Sequence, residues 1–326
     1  MPISPRRRLL EYLSDGVCHS TQALSAALGL PDSEIQALID SLYQQGITID
    51  RAEAGYWLNR DPDWLDAEMI SAMLSPVTRS RLAGLVIHDQ IDSTNGWLLA
   101  QADTAGPMVC LAEQQTAGRG RRGRPWASPY AAHLYLSLSW WFDDIRQLPA
   151  GLSLMTGIVI AETLQALGIP GVAIKWPNDL FWQDRKLGGI LIETGQRPDR
   201  RCQTVIGLGL NVAMPPVIAQ GIDQAWTDLR QISGDRIPSR NRLAAVLVDN
   251  LATLLTDWQQ SGRFEAFQRR WQRYDALAGR VVTITLPNDT ATGIACGIDD
   301  QGALQLRTDT GLQRFIVGEA SLRLNR

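Results

Sequence analysis

Apolar residues recur at helical spacing early in the chain, at Leu9, Leu10, Tyr12 and Leu13, then at Leu24, Ala27 and Leu28, then at Ile35, Leu38, Ile39 and Leu42. Gly29-Leu30-Pro31 separates the last two groups, so residues 21–40 read as a helix-turn-helix. Ser20 is placed to cap the first helix of the pair, and Asp32 or Ser33 to cap the second by accepting from backbone N–H groups. Beyond Gly46 the pattern becomes alternation, Ile47 and Ile49 and then Tyr56-Trp57-Leu58 around Gly55, which predicts a two-stranded wing. The winged helix-turn-helix is expected to span residues 1–62.

Residues 63–82 read as one linking helix from Trp64 to Leu82. Strand-like runs at 85–89, 108–112, 134–140, 172–175, 180–182, 187–192 and 205–210 then alternate with helical stretches at 97–102, 152–167, 241–258 and 264–274. That alternation predicts a mixed α/β domain over 83–274. From Arg280 onward, short alternating runs with a turn at Asp299-Asp300-Gln301-Gly302 predict a small β-barrel, placed at 275–326.

Length and charge narrow the class. A chain of 326 residues holds several domains, and a net charge of −3 gives no general polyanion-binding character. Cys18, Cys110, Cys202 and Cys296 show no Cys-x-x-Cys spacing, so neither a disulfide framework nor a zinc site is expected, and buried free thiols are. The basic start Met1–Arg8 leads to Leu9-Leu10 and then Glu11 rather than an apolar core, which argues against a secretory leader. The apolar run at 152–167 contains Glu162 and Gln165 and falls short of a membrane span. A cytoplasmic protein without a membrane partner is expected.

Of 31 cationic side chains only two, Lys175 and Lys186, are lysines. An ammonium is a compact point charge and a guanidinium a wide planar fork, so a pocket shaped for one rarely accepts the other. Both lysines flank one turn-rich segment, Lys175-Trp176-Pro177-Asn178-Asp179, with Lys186 behind Asp184-Arg185. A second cationic cluster lies upstream at Gly118-Arg119-Gly120-Arg121-Arg122-Gly123-Arg124. Its composition fits a solvated loop, a nucleic-acid tract or a loop covering a phosphate, since glycines let backbone approach a ligand and arginines supply forked donors. It is not a Walker A loop, because neither lysine has that context, and Pro125-Trp126 does not open the helix of a dinucleotide fingerprint. Two separated cationic sites point to a bound anion. Ser93-Thr94-Asn95 lies between a strand and a helix, either as a plain cap or as a trio of polar groups facing a pocket.

Ser93-Thr94-Asn95, Gln115, the Gly118–Arg124 run with Trp126, Lys175–Asp179, Arg185-Lys186-Leu187-Gly188-Gly189-Ile190 and Gly207-Leu208-Gly209-Leu210-Asn211 occur in the order expected of biotin protein ligases. The whole chain resembles the bifunctional form, which is both ligase and biotin-operon repressor. The resemblance implies a class II synthetase-like catalytic domain and an SH3-like C-terminal barrel. It implies activation of biotin with ATP and Mg²⁺ to biotinyl-5′-AMP, followed by transfer to a lysine of the biotin carboxyl carrier protein of acetyl-CoA carboxylase. A lipoate ligase shares the fold but is not expected to carry the Gly118–Arg124 run.

By the same resemblance, Ser93, Thr94, Asn95 and Gln115 line the biotin pocket. Arg119, Gly120 and Arg121 belong to a loop that folds over the adenylate, and Lys186 stands between carboxylate and α-phosphate. Trp126 packs on adenine or serves in the core, and Lys175 lies near the phosphates. Asn178 and Asp179 contact the nucleotide, with Asp179 also aiding transfer. Gly207, Gly209 and Asn211 form a strand edge passing close to the ligand, and Arg323 reaches back toward the nucleotide. Biotinyl-AMP is expected to promote a homodimer that binds operator DNA.

The amino-terminal unit departs from what DNA binding requires. Residues 1–60 carry five arginines, Arg6, Arg7, Arg8, Arg51 and Arg60, against seven acidic residues. The expected recognition helix, Asp32–Gln45, has only Asp32, Glu34 and Asp40 as charges, whereas phosphate contacts come from cations. Gln36, Ser41, Gln44 and Gln45 remain to read bases, with Arg6–Arg8 and Arg51 to touch the backbone. Operator binding is expected to be weak in the monomer and to need the dimer; the alternative is a ligase with a vestigial DNA-binding domain.

Overall fold

The computed structural model describes residues 4–58, 62–101, 104, 106–196, 201–262, 264–286, 290–316 and 321–324, with backbone alone for 196 and 321–324. The chain opens with helices α1 (Pro5–Leu13), α2 (Thr21–Leu28) and α3 (Asp32–Gln44), then the antiparallel hairpin β1 (Asp50–Ala52) and β2 (Gly55–Trp57). Leu9, Leu10, Leu13, Leu24, Ile35, Ile39 and Leu42 are fully buried together, so the helical apolar stripes make one small core. Ser20 caps α2 by accepting from the N–H of Ala23, and Gly29 ends that helix at φ 70°. The start of α3 differs from expectation. Pro31 is its N-cap and no side chain caps it, because Asp32 already lies inside the first turn, where it and Glu34 only place negative charge near the positive helix end.

The linking segment is two helices, not one. α4 (Ala67–Met73) and α5 (Pro76–Arg81) are separated by Leu74, whose ψ of 146° is extended. Pro76 has no N–H to continue the ladder, and Ser75 instead caps α5 by accepting from Thr78.

Seven strands follow: β3 (Gly84–Ile91), β4 (Met108–Gln115), β5 (Leu134–Phe142), β6 (Ala173–Lys175), β7 (Asp179–Trp182), β8 (Arg185–Gln196) and β9 (Cys202–Leu210). They form one mixed sheet in the order β3-β4-β5-β9-β8-β7-β6. Only β3 and β4 are parallel within it, joined across α6 (Thr94–Ala100) as a parallel pair requires. Helices α7 (Leu152–Ala166), α8 (Pro216–Ala219), α9 (Leu229–Ser233), α10 (Arg240–Ser261) and α11 (Glu265–Trp271) complete the unit. α7 is buried along almost its whole length, which is why its sequence lacks an amphipathic stripe.

Strands β10 (Val281–Thr285), β11 (Thr290–Ile298), β12 (Leu304–Thr308), β13 (Gly311–Phe315) and β14 (Ser321–Leu324) form an antiparallel sheet in the order β13-β12-β11-β10-β14. Val282, Ile284, Leu304 and Leu306 join the same buried cluster as Leu136, Ile158 and Leu251, so the core runs on from the large sheet into this one. The Trp176 indole N–H donates to the Gly302 carbonyl across that seam at 3.1 Å.

The amino-terminal unit is also seated on the large sheet. Tyr130 completes its small core, and a Cβ added at Gly46 would stand 2.2 Å from Pro215 Cβ. A buried Arg240–Glu113 ion pair of 2.8 Å anchors the linker, with Glu113 accepting from the N–H of Leu65 and Arg240 donating to the Asp63 carbonyl. Cys110 and Cys202 are buried free thiols, whereas Cys18 and Cys296 are exposed ones, which corrects the expectation for two of the four. Among the described residues no helix is long and apolar enough to cross a membrane.

Candidate active site

The loop after β3 turns into α6 through Ser93, whose hydroxyl accepts from the N–H of Gly96. With that end capped, Thr94 and Asn95 point into the sheet and are buried. The side-chain oxygen of Gln115, at the end of β4, accepts from Thr94 N–H at 3.0 Å, with the Thr94 hydroxyl at 3.1 Å. Ser137 on β5 brings its hydroxyl to 2.7 Å from Thr94 Oγ1 and 2.6 Å from Asn95 Oδ1. A Cβ at Gly207 would stand 2.3 Å from Asn95 Oδ1, so only glycine lets Asn95 lie across β9. Gly207 is therefore not on a strand edge: β9 is an interior strand between β5 and β8, and what it approaches is Asn95.

The arginine loop closes on itself around a turn. Gly120 N–H donates to the Arg124 carbonyl and Trp126 N–H to the Gly118 carbonyl, with Arg122 at φ 57° and Gly123 at φ 68°. Arg119 leaves the loop to pair with Glu193 on β8 at 3.0 Å, and Arg121 donates to Asn178 Oδ1 at 3.3 Å. Burial, and then the like charges of Arg122 and Arg124, press the Arg121 pKa below the ordinary guanidinium value, while Asp179 opposes them. Trp126 lies flush on β9, where a Cβ at Gly209 would stand 2.6 Å from its ring.

Lys186 sits at the start of β8 with Nζ 2.8 Å from Asp179 Oδ1 and 5.3 Å from the centre of the Trp126 ring. Its backbone is pinned on both sides, N–H to the Ala225 carbonyl and C=O to Thr227 N–H, each at 2.9 Å. Asn211 supports this strap, its amide nitrogen donating to the Thr227 carbonyl at 3.0 Å. Asn178 likewise donates to the Ile190 carbonyl at 2.8 Å. Lys175 ends β6 with Nζ 5.1 Å from the centre of the Phe181 ring. Burial lowers its pKa; Lys186, Arg124 and Arg280 add to the lowering and Asp179 opposes it. The two lysines and the arginine loop thus converge around one carboxylate, Asp179.

Two features of this site were not legible in sequence. Ser137 and Glu193 lie in apolar strands, and neither stands in a motif. An open hollow of about 480 Å³, lined by residues including Met214, Pro216, Trp226 and Arg230, adjoins Lys186 through the strap. Trp226 gave no signal as one of eleven tryptophans. Arg323 lies on β14 opposite Thr283, and its side chain is outside the described residues.

Residues 87–211 match the Biotin/lipoate A/B protein ligase family, and residues 278–323 match the Biotin protein ligase C terminal domain. The bifunctional ligase/repressor BirA of Escherichia coli is 38% identical over 97% of this chain and 96% of its own length. The chain belongs to the biotin protein ligase family. A second member of that ligase family, the biotin–[acetyl-CoA-carboxylase] ligase of Mycobacterium tuberculosis, is 35% identical over 70% of this chain and 84% of its own. The biotin protein ligase of Aquifex aeolicus in complex with biotin and ATP is 26% identical and superimposes with a TM-score of 0.63, covering 74% of this chain and 99% of that one.

Proposed function

We propose that this protein is a biotin–[acetyl-CoA-carboxylase] ligase that also represses transcription, and that the pocket from Ser93 to Lys186 is where both activities begin. The convergence of a neutral hydrogen-bonding recess, Thr94–Asn95–Gln115–Ser137, with a cationic rim carries the reading. Biotin presents an apolar bicycle with a ureido head and a carboxylate tail, and the two halves of the site match those two ends.

The reaction joins two anions. A carboxylate oxygen of biotin attacks the α-phosphorus of ATP, the bond to pyrophosphate breaks, and biotinyl-5′-AMP remains. Fixed positive charge at the meeting point lowers that barrier without reorganisation, and Lys186, held by Asp179, is our choice for it. Lys175 and Arg121 extend the field over the phosphates, and the Gly120 backbone bends the loop across the anhydride to exclude water. Magnesium enters with ATP as part of that substrate. Trp126 and the hollow beside Trp226 offer apolar surface for the adenine. In the second step the target lysine of the carrier protein attacks the acyl carbon and AMP leaves; Asp179 takes the departing proton. Arg323 is a further contact to the nucleotide.

We further propose that the first three helices and hairpin are a winged helix-turn-helix, that the C-terminal sheet is an SH3-like barrel, and that the central sheet is class II synthetase-like. Biotinyl-AMP favours a homodimer on operator DNA. The acidic character of α3 favours the second reading, in which the DNA-binding unit is vestigial.

Biotin-dependent exchange of label between pyrophosphate and ATP, with lipoate as the control acid, tests the first step. Transfer to a carrier domain tests the second, and exchange with lipoate alone would replace biotin as the substrate. Fluorescence anisotropy on the chain's own biotin-gene promoter, with and without biotinyl-AMP, decides between repressor and vestigial domain.

A further inference from the structure

The polar recess and the covering loop are joined by one side chain that neither motif contains. Glu193, on β8, accepts from Asn95 Nδ2 at 2.8 Å through Oε2 and pairs with Arg119 at 3.0 Å through Oε1. Asn95 in turn presents Oδ1 to Ser137, which reaches Thr94 and through it Gln115. A continuous chain therefore runs Gln115–Thr94–Ser137–Asn95–Glu193–Arg119.

Glu193 settles two geometries in that chain. A carboxylate only accepts, so Glu193, together with the Leu191 carbonyl that also accepts from Asn95 Nδ2 at 3.2 Å, fixes the amide nitrogen of Asn95 toward β8 and the amide oxygen toward Ser137. The same carboxylate holds Arg119 over the first turn of α6, where the guanidinium lies 3.8 Å from the position of a Cβ on Gly96. The pair is not sealed from water: the side chains of Arg119 and Glu193 are 35% and 26% exposed. An ion pair that open adds little to stability, so its consequence is positional.

We propose that Glu193 is a positioning residue of the ligase reaction, holding Arg119 and Asn95 in register so that the acid pocket and its cover are aligned before biotin arrives. This rests on the reading of Asn95 and Arg119 given above. Pre-organisation of this kind raises affinity by removing the cost of ordering two groups on binding. Glu193 bonds Asn95 and Arg119, whereas the Lys186–Asp179 pair on the phosphate side is built without it, so ATP affinity should not share the effect.

The test compares Glu193→Gln, Arg119→Gln and the double variant, using purified full-length protein. Glu193→Gln is expected to raise the KM for biotin and the release rate of biotinyl-AMP by about tenfold each, with the KM for ATP unchanged and the thermal midpoint kept. The effect of the double variant on biotinyl-AMP release should fall below the product of the two single effects, because both changes break the same Glu193–Arg119 pair. Glu193→Asp, which keeps the charge on a shorter stem, should fall between wild type and Glu193→Gln. Additive effects in the double variant, an equal rise in the KM for ATP, or unchanged biotin kinetics would each overturn the proposal. Wild-type protein that fails to adenylate biotin would instead overturn the ligase reading, so the two failures are told apart.

Discussion

Two arginine-rich segments of this chain look alike in composition and are used in opposite ways. At Arg6–Arg8 the cations are absorbed by the protein. Arg6 donates to Gln45 at 3.1 Å and to Gln114 at 3.0 Å, with its guanidinium 5.2 Å from the Tyr130 ring centre. Arg7 pairs with Glu11 and lies over Trp64, and Arg8 reaches the carbonyls that end α2. Glycines interrupt the other segment, Arg119–Arg124, which forms a tight turn, so that Arg121, Arg122 and Arg124 press together at the rim of a pocket while Arg119 pairs with Glu193. A run of arginines on a helix start finds carbonyls, rings and a neighbouring domain within reach; a run on a glycine turn keeps its charge concentrated. The first segment therefore clamps the amino-terminal unit to the catalytic sheet. Two side chains expected to read bases are engaged too: Gln36 of α3 with Tyr56 and Asp40, and Gln45 just past its end with Ser41.

Lys186 gives the largest separation between the two regions. Lys186→Arg should fail nearly as badly as Lys186→Ala, each losing roughly 10²-fold or more in biotin-dependent pyrophosphate exchange, about 3 kcal/mol of barrier. A fork cannot take the place of a point charge held at 2.8 Å from Asp179 without moving the oxyanions. Near wild-type exchange in Lys186→Arg would end the argument from lysine scarcity.

Glycine substitutions make the comparison directly. An alanine Cβ at Gly207 meets Asn95 Oδ1 at 2.3 Å, and one at Gly46 meets Pro215 at 2.2 Å. Overpacking of this kind costs about 1–3 kcal/mol. Gly207→Ala should spend that loss on biotin affinity, read by isothermal titration. Gly46→Ala should leave biotin binding nearly intact and open the amino-terminal unit, read as faster proteolysis between residues 58 and 65. The reverse pattern would mean that the docked unit, rather than β9, shapes the pocket.

Arg121→Gly tests the loop as a cover. Adenylation should continue while biotinyl-AMP escapes several-fold faster and labels bystander lysines, because the loop excludes water and retains the product rather than performing the acyl chemistry. Tight retention with normal transfer would count against it.

The smallest effect is expected at Arg6→Ala. Loss of its two amide contacts should raise the KM for biotin by no more than a few-fold through Gln114, the neighbour of Gln115. It should leave the salt dependence of any operator binding unchanged, since Arg6 is engaged within the protein. A slope that falls by about one would show that Arg6 leaves its clamp to neutralise a phosphate.

Much of the fold was legible because it rests on periodicity. The three apolar helical stripes became α1 to α3, and every strand run in the central domain met a strand, most of them longer at one or both ends than the apolar run. The linker misled because Pro76, inside the span expected as one helix, breaks the ladder through its missing N–H. The α3 cap misled because the cap position fell one residue earlier than the polar pair suggested. Within the site, the scarcity of lysine pointed to Lys175 and Lys186, and the structure gathers both around Asp179. Asn211 carried no sign in sequence that its amide nitrogen would donate to the Thr227 carbonyl.

By itself the sequence determined the first three helices, the strands of the central sheet, the paired lysines and the glycine-bound arginine turn, because each depends on spacing along a few residues. Only the tertiary structure decided which polar groups meet. Sheet order brings Ser137 of β5 and Glu193 of β8 to Asn95, although 42 and 98 positions separate them in the chain. It also decided that one arginine run faces a pocket while the other is consumed at a domain seam. A side chain's partners are set by distances across strands and between domains, and those distances are fixed by how the whole core closes rather than by local pattern.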